Sequence, residues 1–135
     1  MDLWDPYRTS NINGAQYFIT IVDDFTKNTW TQLLKSKTQV HAAIEYFLNM
    51  IETQFSTKAA MIRTDNGTEF IQSACLNLFG ARGILHQKSI VKTPQQNGVV
   101  ERKHRHLLDT ARALRFQAGF PKHFGESVYL LPHIL

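Results

Sequence analysis

IRTDNGTEF, residues 62–70, packs the end of an apolar strand, an acid, a sharp turn and the start of a helix into nine positions. Ala59 to Arg63 reads as a short strand, and Asp65 sits at its tip. Asn66-Gly67 then turns the chain. A helix follows from about Glu69 to Gly80, and Ile84 to Ser89 reads as another short strand. A helix between two short strands points to an α/β fold. In open α/β sheets ligands bind at the carboxyl ends of strands. Asp65 is therefore a candidate functional acid, although a short polar side chain at an Asn-Gly turn equally well serves only to bond neighbouring amides.

Upstream, Ala15 to Phe25 (AQYFITIVDDF) is rich in β-branched and aromatic residues and predicts a strand that ends in a turn at Asp23-Asp24. Thr29 to Leu34 looks like its hairpin partner. Val40, Ala43, Ile44, Phe47, Leu48, Ile51 and Phe55 recur at helical spacing, with Thr38 placed to cap the start. Downstream, Val91 to Gly98 reads as loop. A long helix from about Val99 to Ala118 follows, with Val100, Leu107, Ala111 and Leu114 as its apolar stripe, and Gly119 and Pro121 end it. A last helix is expected after Pro121. The tryptophans and phenylalanines are expected in the core. Helices interleaved with short strands imply a mixed sheet with helices on both faces.

The 135 residues suffice for one domain with a full hydrophobic core, and 43% apolar with 19% charged residues is ordinary for a globular chain. Cys75 is the one cysteine, which excludes an internal disulfide and a Cys-pair zinc site, and suits a reducing compartment. No apolar run reaches membrane-spanning length, and no signal-peptide pattern or other targeting signal is found. Fifteen basic residues against eleven acidic ones give a formal charge of +4. Arg102 to His106, with Arg112 and Arg115, concentrate cations on the long helix, a pattern that suits nucleic acid and equally a solvated helix face.

Glu101 stands alone among those cations. On a helix it shares a stripe with His104, Arg105 and Leu108, so it is expected half shielded by protein, and an ion pair with Arg105 is the plain alternative role. Asp2, in MDLWDPY, supplies a third acid on a separate strand. Hard cations such as Mg²⁺ take carboxylate oxygens from several chain segments, and two such ions about 4 Å apart can clamp an in-line phosphoryl displacement. Other acids have plainer roles. Asp23 and Asp24 fit a hairpin turn, and Glu69 fits a helix's first turn. His104 and His106 point apart on a helix and do not share a zinc.

IRTDNGTEF, GILHQ (83–87) and TPQQNGVVERKHRHLL (93–108), with YFITIVDDFTKNTW (17–30) and ARALRFQAGFP (111–121), resemble the catalytic core of retroelement integrases. The likeness is to the copia type of long-terminal-repeat retrotransposon, whose integrase is cut from a Gag-Pol polyprotein. It implies a ribonuclease-H-like fold with a mixed five-stranded sheet flanked by helices, residues 1–135 forming one core domain truncated at both ends, and a shortened first strand. It also implies an Asp-Asp-Glu triad, Asp2, Asp65 and Glu101, which holds two Mg²⁺ (or Mn²⁺) ions. Asp2 and Asp65 would share one ion, Asp2 and Glu101 the other.

The implied activity is metal-dependent DNA integration, in which water frees a 3′-hydroxyl at each element end and that hydroxyl then attacks target DNA. Gln95, Gln96 and Asn97 would approach the DNA end, and Lys103, His104 and Arg105 would contact DNA. Element ends and target DNA are the implied partners, with a homodimer or larger multimer as the working form, no membrane, and a nuclear site of action. Two departures stand out: Asp5 replaces the glycine usual before PY, and no tryptophan follows Phe124. A chain that opens at the first acid also leaves a reading of different class open, a truncated relic that folds and binds nucleic acid but catalyses nothing. A host nuclease of ribonuclease-H type is disfavoured, because NGVVERKHR is not its pattern.

Overall fold

The computed structural model describes residues 1–4, 14–89 and 98–119, with the backbone alone at Arg115. The chain divides into two compact units, one of Met1–Ser36 with Gly98–Leu135 and one of Lys37–Asn97.

The first unit holds an antiparallel sheet in the order β1 (Asp2–Trp4), β2 (Tyr17–Val22), β3 (Thr29–Leu34). The expected hairpin is present, with Tyr17 opposite Leu34 and Val22 opposite Thr29. Its turn is built by the acids that suggested it. Asp23 Oδ2 accepts hydrogen bonds from the Thr26 amide and hydroxyl, and Lys27 Nζ meets Asp24 Oδ1 at 2.8 Å. Lys27 takes the left-handed conformation, φ 62°, that closes the turn. Along β2, Phe18, Ile19, Thr20 and Ile21 are all buried, so both faces of the central strand are covered. The long helix α4 (Gly98–Ala118) packs on β2.

The buried stripe of α4 is Val100, His104, Leu108 and Ala111, spaced four, four and three residues apart. It differs from the expected stripe: Leu107 is half-buried, Leu114 is exposed, and a histidine takes a core position. Glu101, expected half shielded, is exposed as a consequence of this rotation of the helix.

The second unit begins with a 3-10 turn, Lys37–Gln39, and α1 (Val40–Phe55), whose buried face is Val40, Ala43, Ile44, Phe47 and Leu48. Thr38 lies inside the 3-10 turn. The N-cap position is Gln39 and makes no side-chain capping bond, because the turn already leads the chain into the helix. Next come β4 (Met61–Thr64), α2 (Thr68–Ile71), α3 (Ser73–Ala81) and β5 (Leu85–Lys88), with β4 and β5 parallel as the strand-helix-strand order requires.

The single helix expected over 69–80 is broken at Gln72, which is extended at φ −61°, ψ 148°. The break leaves carbonyls of α2 without helical donors, and the buried Cys75 thiol supplies one to Glu69 O at 3.3 Å. Phe70, Cys75 and Phe79 from the two helices are buried, as are Ile62 of β4 and Ile84 before β5. Arg82 bonds Asn49 Oδ1 and meets Glu52 at 3.5 Å, tying the end of α3 to α1.

The described strands form two sheets, of three and two strands, and no hydrogen-bonded ladder joins the two groups among the described residues. Not every aromatic residue is core. Trp4, Phe25, Phe55 and Phe116 are exposed, at the end of β1, in the β2–β3 turn or near helix ends. Among the described residues no helix is long and apolar enough to cross a membrane.

Candidate active site

Asp65 follows the last residue of β4, where the strand delivers it half-buried. Its Oδ1 accepts the Gly67 amide at 3.1 Å, the short-range turn bond anticipated for this position. Gly67 is needed for another reason. A Cβ there would fall 2.7 Å from Glu69 Oε1 and 3.1 Å from Asp65 Oδ1, so the lack of a side chain lets two carboxylates flank one backbone unit. Glu69 is buried, which its reading as a helix first-turn acid did not foresee; its side chain packs back over Gly67.

Beneath Asp65, the fully buried Thr64 hydroxyl donates to Asp65 O at 2.8 Å and lies 2.9 Å from His86 Nε2 on β5. The hydroxyl has one hydrogen and gives it to the carbonyl. His86 must then donate from Nε2, which selects its tautomer. Burial, followed by the nearby charge of Lys88, holds the His86 imidazole below its ordinary value of 6.5. The folded chain thus binds this proton less readily than the unfolded one, so stability falls as pH drops below about 6.5. Thermal melts between pH 7.5 and 5.5 check this, and His86→Gln should flatten the dependence. Asp23 does not act in that range: its pKa is lowered by the Thr26 hydrogen bonds, so its contribution fades only in stronger acid.

In the other unit Asp2 pairs with Thr20 and Trp4 with Phe18 across β1 and β2, so these side chains share a face. His104 of α4 lies over that face, 1% exposed, with Nδ1 2.9 Å from Asp2 Oδ2. The Trp4 and Phe18 rings meet the imidazole edge-on, at centroid distances of 5.6 and 5.0 Å. Among the described residues His104 Nε2 and Thr20 Oγ1 are buried without a hydrogen-bond partner. An unsatisfied buried donor costs about 1–3 kcal/mol. The tautomer with its proton on Nδ1 donates to Asp2 and leaves a lone pair, not an N–H, unpaired at Nε2. His104, expected to contact DNA, is therefore withdrawn from solvent by the stripe that seats α4 on the sheet.

Glu101 lies one turn earlier on α4, exposed, and makes no ion pair with Arg105 among the described residues. Arg102, Arg105 and His106 are exposed and Lys103 half-buried, so α4 presents cations on the sides that its core stripe leaves free. Arg112 is paired with Asp109 at 3.3 Å. Gln95, Gln96 and Asn97 lie outside the described residues. Asp2 and Glu101 thus belong to one unit and Asp65 to the other. Among the described residues no three His, Cys, Asp or Glu side chains are grouped so as to hold a metal ion.

Residues 1–94 match the family described as Integrase core domain. The chain belongs to the integrase core domain family. This integrase core is 38% identical, over 96% of its length, to the Retrovirus-related Pol polyprotein from transposon RE1 of Arabidopsis thaliana. It is 34% identical, over 94% of its length, to that from transposon TNT 1-94 of Nicotiana tabacum. It spans only about a tenth of those polyproteins, 9% and 10% respectively. In fold it is similar to a chain in the cryo-EM structure of a simian T-cell lymphotropic virus intasome in complex with PP2A regulatory subunit B56 gamma. There the TM-score is 0.71 at 18% identity, over 96% of this chain and 45% of that one. The family match ends before α4, whereas the plant relatives cover nearly all of the chain.

Proposed function

We propose that this integrase core is the catalytic part of a copia-type retroelement integrase, ribonuclease-H-like with its strands in one mixed sheet. On this reading it cleaves and joins DNA with Asp2, Asp65 and Glu101 as ligands of two Mg²⁺ or Mn²⁺ ions. The observation that carries the reading is family membership together with an acid at the tip of β4, pinned by the Gly67 amide, and another at the head of a cationic helix. All the proposed ligand atoms are carboxylate oxygens, the donor type that hard divalent cations take. When bound, such ions stabilise the charge that develops on the attacking and leaving oxygens of a phosphodiester.

The chain's own residues then have separable tasks. The Gly67 amide and the Thr64–His86 pair fix the turn that carries Asp65. Arg102, Lys103 and Arg105 meet DNA phosphates, and Gln95 to Asn97 lie nearest the DNA end. Element ends and target DNA are the substrates, a dimer or larger multimer the working form, and the nucleus the place of action.

Incubation of the chain with a labelled DNA-end duplex in Mg²⁺ or Mn²⁺ tests the reading. Metal-dependent nicking is expected; DNA retention without nicking would instead favour a chain that binds but does not cut. Salt gives a second measure. Three phosphate contacts from α4 predict a slope of about −2.7 in log affinity against log salt, roughly 40-fold weaker binding between 50 and 200 mM. A fluorescence-anisotropy titration checks it, and salt-insensitive binding would remove α4 as the DNA surface.

A further inference from the structure

A histidine in the core of a basic helix needs a reason. His104 is 1% exposed, its Nδ1 reaches Asp2 Oδ2 at 2.9 Å, and its Nε2 is buried with no partner among the described residues. Native chains leave few buried polar atoms unsatisfied. Two stand here: His104 Nε2, the ring nitrogen that Asp2 does not meet, and Oγ1 of Thr20, the residue paired with Asp2 across the ladder. A residue kept only for packing would be apolar here, since Val100, Leu108 and Ala111 fill the rest of the stripe.

The neighbouring rings set the imidazole's orientation. Trp4 and Phe18 stand nearly perpendicular to it, at 74° and 83°, so it has little freedom to swing away from the carboxylate. Pairing with Thr20 fixes the Asp2 backbone in the ladder but not the rotation of its side chain. The restraint comes from α4. The same helix carries Glu101 three positions earlier, so one rigid element presents one acid and holds the other.

We infer that His104 is a positioning residue for Asp2: it donates from Nδ1 to Oδ2, fixes the carboxylate's rotation, and leaves Oδ1 to meet a divalent cation. This rests on the reading of Asp2 as a metal ligand. Outer partners of metal ligands set affinity by holding the ligand in place, and their loss typically weakens binding about 10–100-fold. In His104→Asn the amide nitrogen stands near where Nδ1 was and keeps the donor. In His104→Leu the volume is nearly kept and the donor is lost.

The test is Mn²⁺ titration of the full chain, followed by the electron paramagnetic resonance signal of the free ion, on wild type, H104L, H104N and D2N. Circular dichroism confirms that each variant is folded. The expected result is binding about 10–100-fold weaker in H104L, near wild type in H104N, and at least as weak in D2N as in H104L. Long-range ¹H–¹⁵N spectra of the metal-free wild type should place the His104 proton on Nδ1. Equal affinity of H104L and wild type, with D2N impaired, overturns the inference, as does equal weakness of H104L and H104N, which would mark a packing role. If D2N binds Mn²⁺ normally, the metal reading of Asp2 fails. The spectra then decide on His104: a proton on Nε2 overturns the clamp, and one on Nδ1 supports it.

Discussion

Asp65→Asn and Glu101→Gln should each lower metal-dependent nicking of a DNA-end duplex by more than about 100-fold, beyond the roughly 10–100-fold typical of an outer partner of a metal ligand. Neither should unfold the chain. The Asp65→Asn change keeps an oxygen where Asp65 Oδ1 accepts the Gly67 amide, so the turn can close as before. Glu101 is exposed and has no ion pair with Arg105, so glutamine fits at little structural cost, within the about 0.5 kcal/mol usual for surface changes. What both lose is charge at a hard oxygen donor, which a divalent cation needs more than a hydrogen bond does. DNA retention should stay near wild type, because the cations on α4 are untouched. Gel analysis of nicked product beside a filter-binding measurement separates the two effects. Nicking unchanged in both variants would remove these acids from the chemistry.

Phe79→Ala should destabilise the Lys37–Asn97 unit by about 3–5 kcal/mol, the range for deleting a buried phenyl ring. Phe79 is 2% exposed on α3, and its ring lies 5.0 Å from that of His86 on β5. Its loss opens a cavity beside the histidine that supports Thr64 and the Asp65 turn. Against a typical total of about 5–15 kcal/mol for a domain, that is a large share. Urea unfolding followed by far-ultraviolet circular dichroism is the suitable measurement. Trp4 and Trp30, the chain's two tryptophans, lie in the other unit and would report on that unit instead. A midpoint unchanged by the substitution would mean that α3 is not held by its phenylalanine.

Much of the local structure was legible because its causes are local. Asp23 and Thr26 close the β2–β3 turn by contacts three residues apart, and Asp65 with Gly67 does so two apart. The buried face of α1 follows directly from apolar spacing. Less legible were features whose cause lies elsewhere. The break at Gln72 has no proline or glycine to announce it, and it is completed by a thiol reaching back to Glu69 O. Glu69 carries an ordinary first-turn signal, yet it is buried over a glycine that leaves room for it. A signal was available there, since a glycine between two acids hints at close approach, though it does not say of what.

The sequence alone determined where most strands and helices fall, the antiparallel hairpin, and the family. Each of these depends on neighbours in the chain or on a motif read in order. The tertiary structure decided which face of α4 is buried. Periodicity counts a histidine as polar and places it among the cations. Packing makes it core, because its one donor finds an aspartate 102 residues away and its ring finds two aromatic faces. A helix of mixed character can be rolled by a few tens of degrees with no change in its local propensity. Only the shape and chemistry of the sheet beneath it select the angle.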